Sequence, residues 1–321
     1  MRRMPRITIL GALTGVLLLV APPARAQKDR WQQLNSQAAR LQEQGKYAEA
    51  LPVAEESAKV AEGTFGLENE FTLASLNRLA TIYSDMGDYP DAEKLYKRAL
   101  PIAEKVLGPT HQGVSTMLNN LGSLYKDQGR YADAEQLYKR SLDIDEKTLG
   151  ANDAKIASDL NNLGLLDAEQ GRYADAEQLY KRAQGIDEKT LGTNSSNYAT
   201  DLHNQALLYD TEGRYKEAEA LFTRAIAIDL KALGPYYPGT AYELVGLASL
   251  YQSQARYGEA EPLFKAAVNI FEKALGPEHP TVATALNNLA LLYEAQGRFA
   301  EAEPLLKRAL AINAKVLGPI M

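Results

Sequence analysis

The chain has 321 residues, 45% of them hydrophobic, with 35 basic side chains against 41 acidic ones and no cysteine. That composition is ordinary for a soluble globular protein. It excludes a disulfide framework and a cysteine nucleophile, and its acidity disfavours nucleic acid and anionic membranes as partners.

The first 26 residues read as a secretory signal peptide. Arg2, Arg3 and Arg6 supply a positive start, and Ile7 to Val20 is an apolar run of 14 residues. Ala24-Arg25-Ala26 then forms a small-x-small cleavage site. The run is short for a bilayer span, so an uncleaved anchor is the weaker alternative. No cysteine follows it, which excludes lipid attachment of the lipoprotein kind. Removing the segment's four arginines leaves 31 basic residues against 41 acidic ones, a net charge near −10. The expectations are a periplasmic or secreted protein, with no stable membrane insertion after cleavage.

From Gln27 to the end, one pattern recurs every 42 residues without insertion or deletion. A turn glycine falls at Gly45, Gly87, Gly129, Gly171, Gly213 and Gly297, with Ala255 in the remaining slot. A second glycine falls at Gly66, Gly108, Gly150, Gly192, Gly234, Gly276 and Gly318. A fixed period in this range marks a solenoid, whose units bury their apolar faces only against neighbours. Repeats are taken to start at Trp31, Leu73, Ser115, Ala157, Ala199, Ala241 and Ala283, giving seven units in one domain, 27–321.

Each unit carries two helical patterns. In the last, Leu286, Leu289, Ala290 and Tyr293 make one apolar stripe. Ala302, Leu305, Leu306, Ala309, Leu310 and Ile312 make a wider face on the second helix. Pro238 and Pro280 suit a first helical position, and Gly318-Pro319 suits a C-cap. Acid-first pairs four apart, such as Glu93–Lys97 and Glu303–Lys307, read as a solvated face. Ala92, Ala134, Ala176, Ala218, Ala260 and Ala302 mark close helix crossings. Tyr47, Tyr89, Tyr131, Tyr173, Tyr215 and Tyr257 read as inter-helix packing.

The strings L-x-x-L-[AG]-x-x-Y and A-x-x-x-[YFL]-x-x-[AS] stand together in Leu118, Leu121, Gly122, Tyr125, Ala134, Tyr138 and Ser141. They resemble the tetratricopeptide repeat, in the 42-residue form of kinesin light chains and many bacterial proteins. The likeness covers about 290 residues. It implies an all-α, right-handed superhelical solenoid of seven helix-turn-helix repeats, with first helices on the concave side. It also implies protein or peptide binding and no chemistry of its own.

Catalysis finds no support in the residues. No H-E-x-x-H, G-x-S-x-G or P-loop string occurs, and no nucleophile–base set can be named. His111 and His279 share one repeat position at the start of a first helix, which suggests capping. No catalytic residue, metal ligand or cofactor is expected.

The candidate binding surface is an asparagine ladder on the first helices. One column reads Asn35, Asn77, Asn119, Asn161, His203, Val245, Asn287; the next reads Ser36, Arg78, Asn120, Asn162, Asn204, Gly246, Asn288. Asparagine is a poor helix former, so its recurrence needs a reason. An amide both donates and accepts, and a row of them would grip an extended peptide by its backbone. Alternatively the amides fix the stacking of neighbouring repeats. Ligand contact is favoured for the first column and structure for the second. Tyr236, Tyr237 and Tyr242 are candidate anchors at an irregular Pro235–Pro238 turn.

Asp167, Gln184 and Gln205 intrude on apolar columns in the middle of the chain and are expected to lie together. The hydrophilic first helix, with Gln32, Gln33, Gln37, Arg40 and Glu43, suits a cap. The other end has none, so Leu306, Leu310 and Ile312 are expected to be partly exposed. That surface would pair two chains, receive a partner helix, or continue into a longer solenoid. The sequence thus points to a non-enzymatic scaffold for a protein or extended peptide. A receptor for a small molecule or envelope glycan near Tyr236–Tyr242, or a self-assembling spacer, are the alternatives.

Overall fold

The computed structural model describes residues 24–317, and within them every regular element is an α-helix. The segment read as a signal peptide lies outside the described residues except for its last three, as does the Gly318-Pro319 cap. Seven helices open the repeats: α1 (Ala24–Glu43), α3 (Glu70–Asp85), α5 (Gln112–Asp127), α7 (Ala154–Glu169), α9 (Ser196–Thr211), α11 (Pro238–Ser253) and α13 (Pro280–Ala295). Seven complete them: α2 (Tyr47–Phe65), α4 (Tyr89–Leu107), α6 (Tyr131–Leu149), α8 (Tyr173–Thr190), α10 (Tyr215–Leu233), α12 (Tyr257–Leu275) and α14 (Phe299–Leu317).

Local chemistry sets the boundaries. Asn69, His111, Asp153, Ser195 and His279 each accept a backbone N–H from the first turn of their helix. Pro238 and Pro280 occupy the first turn of α11 and α13. Each first helix except α11 ends on a glycine at positive φ, between 68° and 79°, after which the chain bonds back one turn. Arg130 N–H to Tyr125 C=O, at 2.8 Å, is one such closure. After α11, Ala255 is forced into the same conformation at φ 57°.

Within the five middle pairs a small residue admits an aromatic ring. Ala80, Gly122, Gly164, Ala206 and Ala248 face Tyr96, Tyr138, Tyr180, Phe222 and Phe264, all buried. A Cβ at Gly164 would stand 2.5 Å from the Tyr180 ring. The alanine column beginning at Ala92 is buried at the crossings, as its spacing suggested. The tyrosine column beginning at Tyr47 is less buried than expected. It opens the second helices, where Tyr215 remains 43% exposed. The period-42 aromatics that fill the core are instead those seven residues further on.

Neighbouring first helices touch one another from α1 through α11, whereas neighbouring second helices make no comparable contact. First helices therefore lie on the inside of the curve. The curve also brings the ends together. α2 meets α14, Tyr47 packs on the core built from α11 to α14, and Gly45 lies so close to Pro280 that a Cβ would stand 2.1 Å from its ring. Ile312 and Val316 are buried, Leu306 is half-buried, and Leu310 is 71% exposed. The surface expected to be open for association is thus covered in part by the chain's own first repeat.

An L-residue at left-handed φ costs about 1–2 kcal/mol that glycine avoids. Ala255→Gly is therefore expected to stabilise the fold by about 1 kcal/mol, read as a higher midpoint in urea denaturation.

Candidate binding surface

The asparagine ladder is largely committed to the neighbouring repeat. Asn119 donates to Asp159 at 2.6 Å and Asn161 to Asp201 at 2.7 Å, each reaching from one first helix to the next. Asn77 accepts from Asn120 at 3.1 Å, and Asn35 from Arg78 Nε at 3.0 Å. Arg78 also reaches Gln42. First-column amides thus do the stacking work assigned to the second column, because acid and amide meet across the short distance between adjacent first helices. The structure places Asn162, Asn204, Asn287 and Asn288 in the same band, half-buried or buried, and these four make no side-chain hydrogen bond among the described residues. His203 stands edge-on to Phe222 at 5.4 Å with its Nδ1 sealed and unpartnered. Burial pulls its imidazole down to about 4, so it is neutral near pH 7.

The exposed stripe of the first helices runs beside the ladder. One column is Thr116, Ser158, Thr200, Tyr242 and Thr284; another is Ser123, Leu207, Ser249 and Leu291, with Leu165 half-buried in the same register. Leu207 is 37%, Tyr242 51% and Leu291 52% exposed. The three candidate tyrosines separate. Tyr242 lies on this stripe, edge-on to Phe271 at 4.9 Å. Tyr236 accepts from Lys273, whose ammonium also sits over its ring. Tyr237 stands at the N-cap position of α11 without a side-chain cap bond, and accepts from Ser196 at 3.1 Å. Among the described residues no two of these rings pair, so they form no stacked box.

Charged residues read as a solvated face prove to join repeats. The pair Glu93–Lys97 forms at 2.6 Å, but Glu93 also receives Arg130 at 3.0 Å and the Tyr125 hydroxyl at 3.0 Å from the next repeat. The Arg130 guanidinium lies on the Tyr125 ring, 3.7 Å from its centre. The same set recurs as Glu177, Tyr209 and Arg214, as Glu219, Tyr251 and Arg256, and as Glu261, Tyr293 and Arg298. The Lys97 ammonium, with Arg130 and Tyr125, holds Glu93 down at about 2.

This explains the polar intruders singly. Asp167 replaces the tyrosine of that set and pairs with Arg172, which also reaches Glu135. Gln205 donates to the Tyr209 hydroxyl at 2.9 Å. Gln184 is half-buried on α8. Among the described residues no hydrogen bond joins any two of the three. The middle repeats also bury acids that sequence reasoning missed: Asp145, Asp187 and Asp229 on second helices, and Asp159, Asp201 and Glu243 on the first helices that follow. Their 42-residue recurrence was the available signal.

Among the described residues no helix is long and apolar enough to cross a membrane, and no group of three acid, histidine or cysteine side chains is placed to hold a metal. Removing a donor from a buried carboxylate costs about 1–3 kcal/mol. Asn119→Ala should destabilise by that amount in chemical denaturation. Asn287→Ala, which breaks no bond, should change stability by less than about 0.5 kcal/mol.

Comparison with known proteins agrees with this architecture. A tetratricopeptide-repeat family model matches residues 33–105, 71–147, 155–231 and 232–315, and a second matches 120–189. No curated protein matches the chain. Among solved structures, a variant of a kinesin light chain-type protein of Podosopora anserina, with nearly identical TPR-like repeats, is 25% identical. It has a TM-score of 0.55 and covers 63% of this chain and 95% of its own. Aspartyl phosphate phosphatase F from Bacillus subtilis is similar in fold, with TM-score 0.63, 13% identity, and 93% and 74% of the two chains covered. So is a Rap protein complexed with Competence and Sporulation Factor, with TM-score 0.63, 15% identity, and 91% and 78% covered. With family matches from residue 33 to 315 on seven stacked helix pairs, the chain belongs to the tetratricopeptide-repeat family.

Proposed function

We propose that the chain is a non-enzymatic scaffold of the cell envelope that holds a protein or extended peptide against the inner face of its solenoid. The observation that carries this reading is the exposed stripe of the first helices. Solenoids of this kind present a long continuous concave surface. In the second half that surface carries Leu207, Tyr242 and Leu291 beside the uncommitted amides of Asn287 and Asn288. Apolar anchors flanked by amides suit a peptide, because the anchors take side chains while the amides satisfy its backbone. The first half offers Thr116, Ser123 and Ser158 and has spent its amides on stacking. The bound segment is therefore assigned to repeats five to seven, with Asn162 and Asn204 at its border. The envelope location rests on the signal-like residues 1–26.

The absence of a named nucleophile–base set supports a binding role. The histidines are spent as well: His111 and His279 cap helices, and His203 is sealed.

Panning a random peptide library on the chain tests the proposal. Selected peptides should share apolar residues at spaced positions. A Tyr242→Ala, Leu207→Ser, Leu291→Ser triple variant should bind them at least about tenfold more weakly, the loss of about 1.4 kcal/mol. A convex-face control, Lys139→Ala, should bind as the parent does. Equal binding by the triple variant would refute the groove as the site.

A further inference from the structure

Three seams between repeats carry a buried carboxyl pair at the same place: Asp145 with Asp159, Asp187 with Asp201, and Asp229 with Glu243. All six are at most 3% exposed. The first pair differs from the other two. Lys155 inserts its ammonium onto Asp145, and Ser115 donates to the same carboxylate at 2.8 Å. One repeat later those positions are Asn197, which is exposed, and Ala157; two repeats later they are Gly239 and Ala199. The chain therefore contains one seam with a built-in cation and two without.

The groups facing the two bare pairs are few. Asp201 on α9 takes the Asn161 amide from α7 and lies near enough to Asp187 on α8 to feel its charge. Asp229 on α10 and Glu243 on α11 lie close enough to perturb each other's titration, with Ser196 and Tyr237 beside Asp229. Repeat register sets His203 opposite Glu243, where Asn119 and Asn161 stand opposite Asp159 and Asp201. That imidazole is neutral above about pH 4. Among the described residues no lysine or arginine pairs with any of the four acids, and Asp187 Oδ1, Asp201 Oδ2, Asp229 Oδ1 and Glu243 Oε2 are sealed without a partner.

We propose that the seams between repeats four and five and between five and six are pH-sensitive joints, each held closed while its carboxyl pair carries a proton and loosened when both acids ionise. Two buried carboxylates side by side cannot both be charged cheaply, whereas one proton turns repulsion into a hydrogen bond. Burial is the first cause of every shift: Asp187 is pushed up to about 6, Asp201 to about 7 and Glu243 to about 8. Asp159, beside Lys155, reaches about 6. A carboxyl raised on folding stabilises the fold most below its unfolded value near 4. That stability is lost as pH climbs through the folded value. The joints therefore loosen between about pH 6 and 8. They lie in the half of the solenoid that carries the exposed apolar stripe.

Hydrogen–deuterium exchange at pH 5.5 and 8.5, corrected for intrinsic rates, reads this directly. Protection in α8–α11 should fall by roughly tenfold or more at the higher pH, one pKa unit being a factor of ten. Protection in α3–α5 should hold. Asp201→Asn with Glu243→Gln should abolish the fall. Asn197→Lys, an exposed change that supplies the missing ammonium, should protect the α8–α9 seam at pH 8.5, and Lys155→Asn, which removes the cation beside Asp145 and Asp159, should make the α6–α7 seam lose more protection at pH 8.5 than it does in the parent. Unchanged protection in the parent, or a fall that persists in the neutral double variant, would overturn the proposal. Should the double variant not fold, the two lysine exchanges decide alone: no effect of either overturns it.

Discussion

The seam between repeats is the constraint on which the molecule depends. A single helix pair buries one ring against one small residue and leaves the rest of its apolar surface uncovered. Stability has to come from stacking, with no disulfide to assist. Every repeat consequently invests polar side chains in its neighbour as well as apolar ones. Toward the start of α4, α8, α10 and α12, a glutamate receives the tyrosine and arginine of the next repeat. That set is partly wet, so its worth lies in fixing register more than in raw energy. On the first helices, amides and acids bridge a shorter and drier gap.

These two kinds of polar contact respond oppositely to pH. In the outer set Glu93 is held down at about 2 by Lys97, Arg130 and Tyr125, and that contribution is lost as pH falls from the ordinary carboxylate range through about 2. The inner acids are held up by burial and lose theirs toward neutral and mildly alkaline pH. Lys155 shows how one substitution converts the inner kind toward the outer kind without disturbing the repeat.

Stacking also decides what is left for a ligand. A side chain spent on the neighbouring repeat is unavailable to a guest, and most amides of the first three repeats are spent. What remains exposed on the inner face is hydroxyl-rich toward the amino end, and toward the carboxyl end Leu207, Tyr242 and Leu291 stand among the hydroxyls. The meeting of α2 with α14 adds a second limit, since a closed curve restricts how a guest reaches its interior.

The sequence alone determined the period, the fourteen helices, their capping histidines and the alanine crossings, because each depends on residues within one turn of helix or on strict 42-residue spacing. It also placed the polar first helix at the amino end. Only the tertiary structure decided where recurring columns point. Asn119 and Asn161 look like a groove-lining row in sequence, yet a distance of one repeat puts an aspartate within reach of each. Asp167 looks like a defect until Arg172 is seen beside it. The tyrosines at Tyr236 to Tyr242 look like one cluster, but a helix start falls between them and sends them to different surfaces. The meeting of the two ends had no local signal either, because it is set by the accumulated rotation of seven stacked pairs. Pattern reports which positions are equivalent; the curvature of the stack decides which of them touch.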